Sequence, residues 1–207
     1  MNGVRTLRKD SEEIQYLSQQ DEKLAHIISL VGEITYEPFD DPYRFLVSTI
    51  IGQMLSNKVG DIITDRLTSL CAGHIAVDAI EAVSDEDIRS IGLSKAKIEY
   101  IRTLTRSVQE GAIDFNELPC LSDKDVIKKL TSLRGIGTWT AKMYLIFVLD
   151  RQDILPFEDG AFLQAYRSVY NARKLNPETI KRRCRVWKPY SSIAARYLYR
   201  ALDIRLI

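Results

Sequence analysis

Apolar residues recur along most of this chain at three- and four-residue steps, and strand signals that would compete with helix are absent. Ile14 and Leu17, then Leu24, Ile27, Ile28 and Val31, predict two helical pieces between Ser11 and Gly32, interrupted near Ser18-Gln19-Gln20-Asp21, with Asp21 capping the second. A loop with Pro38 leads to Asp41-Pro42, an N-cap followed by a proline at the first helical position. The helix DPYRFLVSTIIGQML places Phe45, Leu46, Thr49, Ile50 and Leu55 on its buried face, and a further helix covers about 57–70. Ser84-Asp85-Glu86-Asp87 has capping-box spacing, a turn falls at Gly92, and a helix then runs to about Gln109. Ser122 and Asp125 repeat that spacing before a helix that carries Val126, Ile127, Leu130 and Leu133 near one face; its partner spans about Thr138 to Leu149. An all-α fold follows.

Between those last two helices lies Leu133-Arg134-Gly135-Ile136-Gly137. Gly135 and Gly137 permit positive φ and close approach of another surface to the main chain, while Leu133 and Ile136 pack inward. The head of the following helix, at Thr138, turns partnerless N–H groups and a positive dipole end outward, a ready site for a phosphate. An ordinary helical corner with a glycine cap would carry the same residues. Farther on, Asp159 precedes the helix GAFLQAYRSVY and suits its N-cap. Asn176-Pro177 starts another helix, and Trp187-Lys188-Pro189-Tyr190-Ser191-Ser192 turns into the last, IAARYLYRALD. The stretches SDEDIRSIGLSKAKIEYI and SDKDVIKKLTSLRGIGTWTAKMYLI echo one another as cap, short helix, glycine turn and helix, without the fixed period of a tandem repeat.

Charge changes the picture more than composition does. At 207 residues, 45% hydrophobic and 28% charged, the chain is of ordinary globular type and needs no more than one domain. Its net charge is only +1, but residues 163–207 hold eleven basic side chains against Glu178 and Asp203, a surface suited to phosphates or simply to solvent. No apolar run is long enough to span a membrane, and the polar start MNGVRTLRKDSEE is unlike a signal peptide. Cys71, Cys120 and Cys184 stand far apart with no CxxC, and His26 and His74 are isolated; no metal site or disulfide framework is expected.

In order, the segments DPYRFLVSTIIGQMLSNKVG, GLSKAKIEYI, LRGIGTWTA, PFED and WKPYSS resemble the helix-hairpin-helix (HhH-GPD) DNA glycosylase superfamily, over roughly residues 11–205. WKPYSS with its aromatic-rich following helix resembles the 3-methyladenine DNA glycosylase II (AlkA-like) branch in particular. The resemblance implies one HhH-GPD domain over 1–207, built as two helical lobes with a central DNA-binding cleft. The N- and C-terminal helices would share one lobe, and about 45–150 would form the other. It implies double-stranded DNA containing damaged bases as partner, action as a monomer without membrane attachment, and a cytoplasmic (nucleoid) or nuclear location. The site residues follow position by position. Asp159 would be catalytic. Arg134, Gly135, Ile136, Gly137 and Thr138 would grip the DNA backbone. Gln53, Met54 and Ser56 would lie at the mouth of the cleft, with Met54 as the wedge pushed into the duplex where the target nucleotide leaves. Chemistry alone also allows Met54 as a core filler. Lys95 and Lys97 are candidates for phosphate contact or for simple solvation.

The reaction implied is hydrolysis of an N-glycosidic bond, leaving an abasic site for base excision repair. As the base departs the sugar becomes cation-like; a carboxylate held in a low-dielectric site stabilises that charge and orients or deprotonates water. A cationic alkylpurine leaves without a general acid, so one carboxylate suffices, unlike the two-carboxylate sugar hydrolases. Bifunctional relatives carry a lysine just after the hairpin that attacks the sugar. Trp139 stands there and Lys142 is nearly a turn away, which points to an enzyme without lyase activity. Trp139, Trp187, Met143 and Tyr144 are candidates for the base pocket, where an indole face would attract a cationic purine by about 1–2 kcal/mol; core packing is the other role open to the tryptophans. Gly160 and Met143 stand where a bacterial relative has aromatic residues, so 3-methyladenine, 7-methylguanine, hypoxanthine and ethenoadenine all remain open. No cofactor is implied beyond a monovalent cation at the hairpin carbonyls. The alternatives are a non-catalytic protein of the same fold that recognises abasic or damaged DNA, a glycosylase for deaminated, oxidised or mismatched bases, and a helical protein-interaction module.

Overall fold

The computed structural model describes residues 3–207; Met1 and Asn2, the head of the polar start, lie outside the described residues. The chain divides into two compact units, 1–38 with 145–207, and 39–144. In chain order the elements are β1 (Arg5–Leu7), α1 (Glu12–Gln20), α2 (Glu22–Val31), β2 (Ile34–Tyr36), α3 (Pro42–Gly52), α4 (Asn57–Leu70), α5 (Val77–Ala82), α6 (Asp85–Ser90), α7 (Lys95–Gln109), α8 (Asp123–Thr131), α9 (Thr138–Phe147), α10 (Gly160–Tyr170), α11 (Pro177–Arg183) and α12 (Ser191–Asp203). The fold is helical, with one addition that hydrophobic periodicity did not reveal. β1 and β2 pair antiparallel, Arg5 opposite Tyr36 and Leu7 opposite Ile34. Three residues per strand are too few to show alternation.

The termini of the helices follow the capping residues. Asp21 accepts from the N–H groups of Lys23 and Leu24, Asp41 from Arg44, Ser122 from Asp125, and Asn176 from Glu178 and Thr179. Each satisfies donors that the first turn leaves without an intrahelical partner, typically about 1 kcal/mol per cap.

In the unit formed by the two ends of the chain, α1, α2, α10 and α12 close over Leu17, Leu24, Phe162, Trp187 and Leu198, all fully buried. Beside this core sits a partly buried ionic cluster. Arg196 lies 3.7 Å over the Tyr36 ring and donates to Ile146 O at 2.7 Å and to Asp150, which also accepts from Arg5 and Tyr36. Arg196 therefore belongs to the interior, and one of the eleven C-terminal charges counted for a phosphate-facing surface is structural. In the unit of residues 39–144, Leu46, Ile50, Ile51, Leu67, Ile101, Leu104 and Leu130 are fully buried. The buried face of α3 departs from expectation at its end. The helix stops at Gly52, and Leu55, displaced into the following loop, is exposed. Helix α9 belongs to both units, passing from 39–144 into the other at Leu145.

Candidate functional site

The Pro156–Asp159 turn is closed by a hydrogen bond from Asp159 N to Pro156 O at 2.9 Å. Asp159 then caps α10: its Oδ1 accepts from Phe162 N at 2.7 Å, and its carbonyl accepts from Leu163 N. The residue is only 9% exposed. Capping and catalysis are compatible here, because the cap fixes one carboxylate oxygen and the rotamer with it. Glu158 is exposed and Gly160 adds no side chain. From α12, Tyr199 comes close enough to Asp159 to feel its charge. Burial first, and the aspartate's charge second, push the Tyr199 hydroxyl well above its ordinary range. Its Oη is buried and meets no partner at good hydrogen-bond geometry. Sequence reasoning pointed to the aromatic-rich last helix but did not single out Tyr199, whose turn of α12 becomes legible only once α10 is placed.

The hairpin between α8 and α9 forms as its residues require. Ile136 N donates to Leu133 O at 3.1 Å, both side chains are buried, and Gly137 and Thr138 are exposed. Gly135 adopts φ +93°, and a Cβ there would meet Tyr100 Cγ of α7 at 2.2 Å. Both the backbone conformation and the ring demand glycine. Arg134 is exposed, pairs with Glu99 and lies 6.0 Å over the Tyr100 ring. Gly137 O accepts the first bond of α9, from Ala141 N, so the N–H groups at the helix head have no acceptor within the helix.

The Gln53–Ser56 loop lies in the same unit and is tied to the hairpin. Gln53 Nε2 donates to Gly135 O at 2.8 Å. Ser56 caps α4 through Val59 N. Met54, between them, is 101% exposed and holds φ +60°. An apolar side chain presented whole to solvent from a backbone conformation that non-glycine residues avoid is no core filler.

The base-pocket candidates separate. Trp139 is half-buried and Met143 buried but not sealed. Tyr144 is fully buried, with Phe45 and Phe115 rings at 6.2 and 6.4 Å; it is core rather than pocket wall. Trp187 is also core. It is fully buried against Phe162 and Tyr170, and its Nε1–H donates to Asp21 at 3.0 Å, so no indole face is left for a ligand. Replacing Trp187 with phenylalanine should lower unfolding stability by about 1–3 kcal/mol, through the lost contacts and a less satisfied Asp21. DNA-directed activity per folded molecule should stay unchanged; a chemical denaturation curve beside an activity titration checks both. Lys97 also departs from expectation. Its ammonium donates to the carbonyls of Ile51 and Gln53, both at 2.7 Å, instead of facing a phosphate. Among the described residues no cluster of three His, Cys, Asp or Glu could hold a metal, and no helix is long and apolar enough to cross a membrane.

Comparison with known proteins bears on the same residues. The family model of the HhH-GPD superfamily of base excision DNA repair proteins matches residues 47–189, a span holding the Gln53–Ser56 loop, the hairpin and Asp159. DNA-3-methyladenine glycosylase 1 of Schizosaccharomyces pombe is 29% identical over 195 residues, covering 89% of this chain and 84% of the relative. The crystal structure of a DNA-3-methyladenine glycosidase from Bacillus halodurans superposes with a TM-score of 0.85 at 34% identity, covering 98% of this chain and 94% of the other. The Schizosaccharomyces pombe 3-methyladenine DNA glycosylase in complex with abasic DNA gives a TM-score of 0.85 at 28% identity, covering 93% and 97%. With more than half its length matched, and the capped aspartate, the glycine hairpin and the exposed methionine loop all inside that match, the chain belongs to the HhH-GPD superfamily of base excision DNA repair proteins.

Proposed function

We propose that this protein is a monofunctional DNA glycosylase that excises alkylated purines of the 3-methyladenine and 7-methylguanine type. It acts as a monomer on double-stranded DNA and leaves an abasic site. The observation that carries the reading is Asp159, a buried residue held in one rotamer by its α10 cap; it closes the PFED motif, whose resemblance to the family's pattern supports a catalytic role. The names of the relatives, DNA-3-methyladenine glycosylases and a complex with abasic DNA, support the substrate class.

In this reading Arg134, Gly135, Ile136, Gly137 and Thr138 bind the DNA backbone through main-chain N–H groups and the head of α9. Met54 enters the duplex and Gln53 holds the base of that wedge. Ser56 fixes where α4 begins. Trp139 and Met143 line the base pocket, with Trp139 stacking on the cationic purine. Asp159 stabilises the cation-like sugar and orients water, and the positively charged base leaves without a proton. The carbonyls of Leu133, Gly135 and Gly137 each accept one protein hydrogen bond and retain a second lone pair. That donor set fits a weakly held monovalent cation, which would stiffen the hairpin.

Trp139 in place of a nucleophilic lysine supports hydrolysis over strand cleavage. Methylated duplex DNA should release methylpurines, detected chromatographically, while the strand stays intact until alkali is added. Cleavage before alkali would mean that another amine attacks the sugar and would overturn the monofunctional assignment.

A further inference from the structure

Helix α3 ends at Gly52, leaving its last carbonyls without intrahelical donors. Two carbonyls at this end, Ile51 O and Gln53 O, converge on one atom, Lys97 Nζ, at 2.7 Å each. Lys97 reaches them from the first turn of α7, and burial lowers its pKa from the ordinary lysine value. On the other side of the loop, Gln53 Nε2 grips Gly135 O. Lys97 and Tyr100 lie one turn apart on α7, and Tyr100 is the ring beneath Gly135. The same turn of α7 thus supports both the hairpin and the methionine loop. Between these anchors Met54 is fully exposed in the left-handed region, at the third position of a turn closed by Leu55 N donating to Gly52 O at 3.0 Å, so where its tip points depends on how that turn is anchored.

We propose that Lys97 is a positioning residue for strand opening: by clamping the Ile51 and Gln53 carbonyls it holds Met54 poised to enter the duplex before DNA arrives. The assignment rests on the DNA-acting part of the proposed function and makes no use of the glycosylase chemistry. Preorganisation is the physical content. A short loop with an exposed apolar tip samples many conformations in water, and ordering it at the moment of binding would draw on binding energy. An ammonium that bridges two carbonyls removes most of that freedom in advance. A lysine solvated on the surface, or one touching phosphate, would leave both carbonyls to water.

The test uses a duplex holding a tetrahydrofuran abasic-site analogue opposite 2-aminopurine, whose fluorescence rises when it unstacks. Affinity is measured in parallel by anisotropy. The wild-type chain should bind and brighten the probe. Met54→Ala should bind but lose most of the rise. Lys97→Met, which keeps the stem and deletes the donors, should retain affinity within about threefold and lose the rise at least fivefold. The double variant should match Met54→Ala alone, since both changes remove one event. A full fluorescence rise with Lys97→Met, a parallel loss of affinity and rise, additivity in the double variant, or a normal rise with Met54→Ala would each overturn the assignment. Should Lys97→Met fail to fold, by circular dichroism, Lys97→Arg carries the test. It keeps the charge but places the carbon Cζ, not a donor nitrogen, where Nζ stands, so both carbonyls would have to move to be bridged; a rise reduced at least about threefold at unchanged affinity supports the assignment and a wild-type rise overturns it. A wild-type chain that brightens the probe through Lys97 yet releases no base from methylated DNA would sink the glycosylase reading and support this one.

Discussion

Replacing Asp159 with asparagine should reduce methylpurine release from methylated duplex DNA by on the order of 10²–10³-fold, corresponding to about 3–4 kcal/mol of lost transition-state stabilisation. Affinity for an abasic duplex should be nearly unchanged. The substitution is chosen because of what the aspartate also does. Its Oδ1 caps α10 by accepting from Phe162 N, and asparagine presents a carbonyl oxygen in the same place. Asn and Asp rank together as N-caps, so the cap is kept while the attraction of a negative charge to the helix head is lost, about 0.3–1 kcal/mol. Alanine would remove the cap as well, at about 1 kcal/mol more, and would mix an unfolding effect with a catalytic one. Melting curves together with single-turnover rates for both variants separate the roles. If Asp159 only caps, Asp159→Asn works like the wild type and Asp159→Ala falls only as far as its folded fraction. If it carries the chemistry, both fail and only alanine melts early. Retained release in Asp159→Asn would end its catalytic assignment and leave the abasic-DNA binding alternative as the better account.

What could be read before folding was local. Asp21, Asp41, Ser122, Asn176 and Asp159 all sit within a few residues of the N–H groups they satisfy, so their roles are written in short windows of sequence. The hairpin was legible for the same reason, since Leu133, Gly135 and Ile136 set its geometry among themselves. Side chains whose meaning depends on distant partners were misread or missed. Trp187 is defined by Asp21, which lies 166 positions earlier, and periodicity cannot distinguish an indole whose N–H already has a buried acceptor from one that faces a pocket. Lys97 looked like any basic residue at a helix start until Ile51 and Gln53 were brought to it. Arg196 counted toward a basic surface, yet its guanidinium lies on the Tyr36 ring beside Asp150. Tyr199 gained interest only from the charge of Asp159. β1 and β2 were invisible because each is stabilised by the other across 26 intervening residues rather than by its own pattern.

Gly135→Ala should cost the fold more than any other single-methyl change in the hairpin, about 3 kcal/mol or more, and weaken binding to undamaged duplex DNA at least tenfold. Two separate penalties add. At φ +93° an alanine Cβ crowds the backbone, a cost of order 1–3 kcal/mol for a residue held in a region it avoids. The new methyl would also fall 2.2 Å from Tyr100 Cγ and 2.6 Å from Tyr100 Cβ. These atoms lie near the root of the side chain, where a rotamer change brings little relief, and overpacking of this kind typically costs about 1–3 kcal/mol. The hairpin must then lift away from α7. Lifting moves Gly135 O off Gln53 and takes the main-chain N–H groups of the hairpin out of register with a phosphate. Removing the ring tests the division of the penalty. In a Tyr100→Ala background, Gly135→Ala should lose only the backbone share, so the two substitutions together should destabilise less than the sum of each alone. Strict additivity in urea unfolding would show that Tyr100 yields to the methyl without cost, and the loss of DNA affinity would then have to come from the backbone of Gly135 alone.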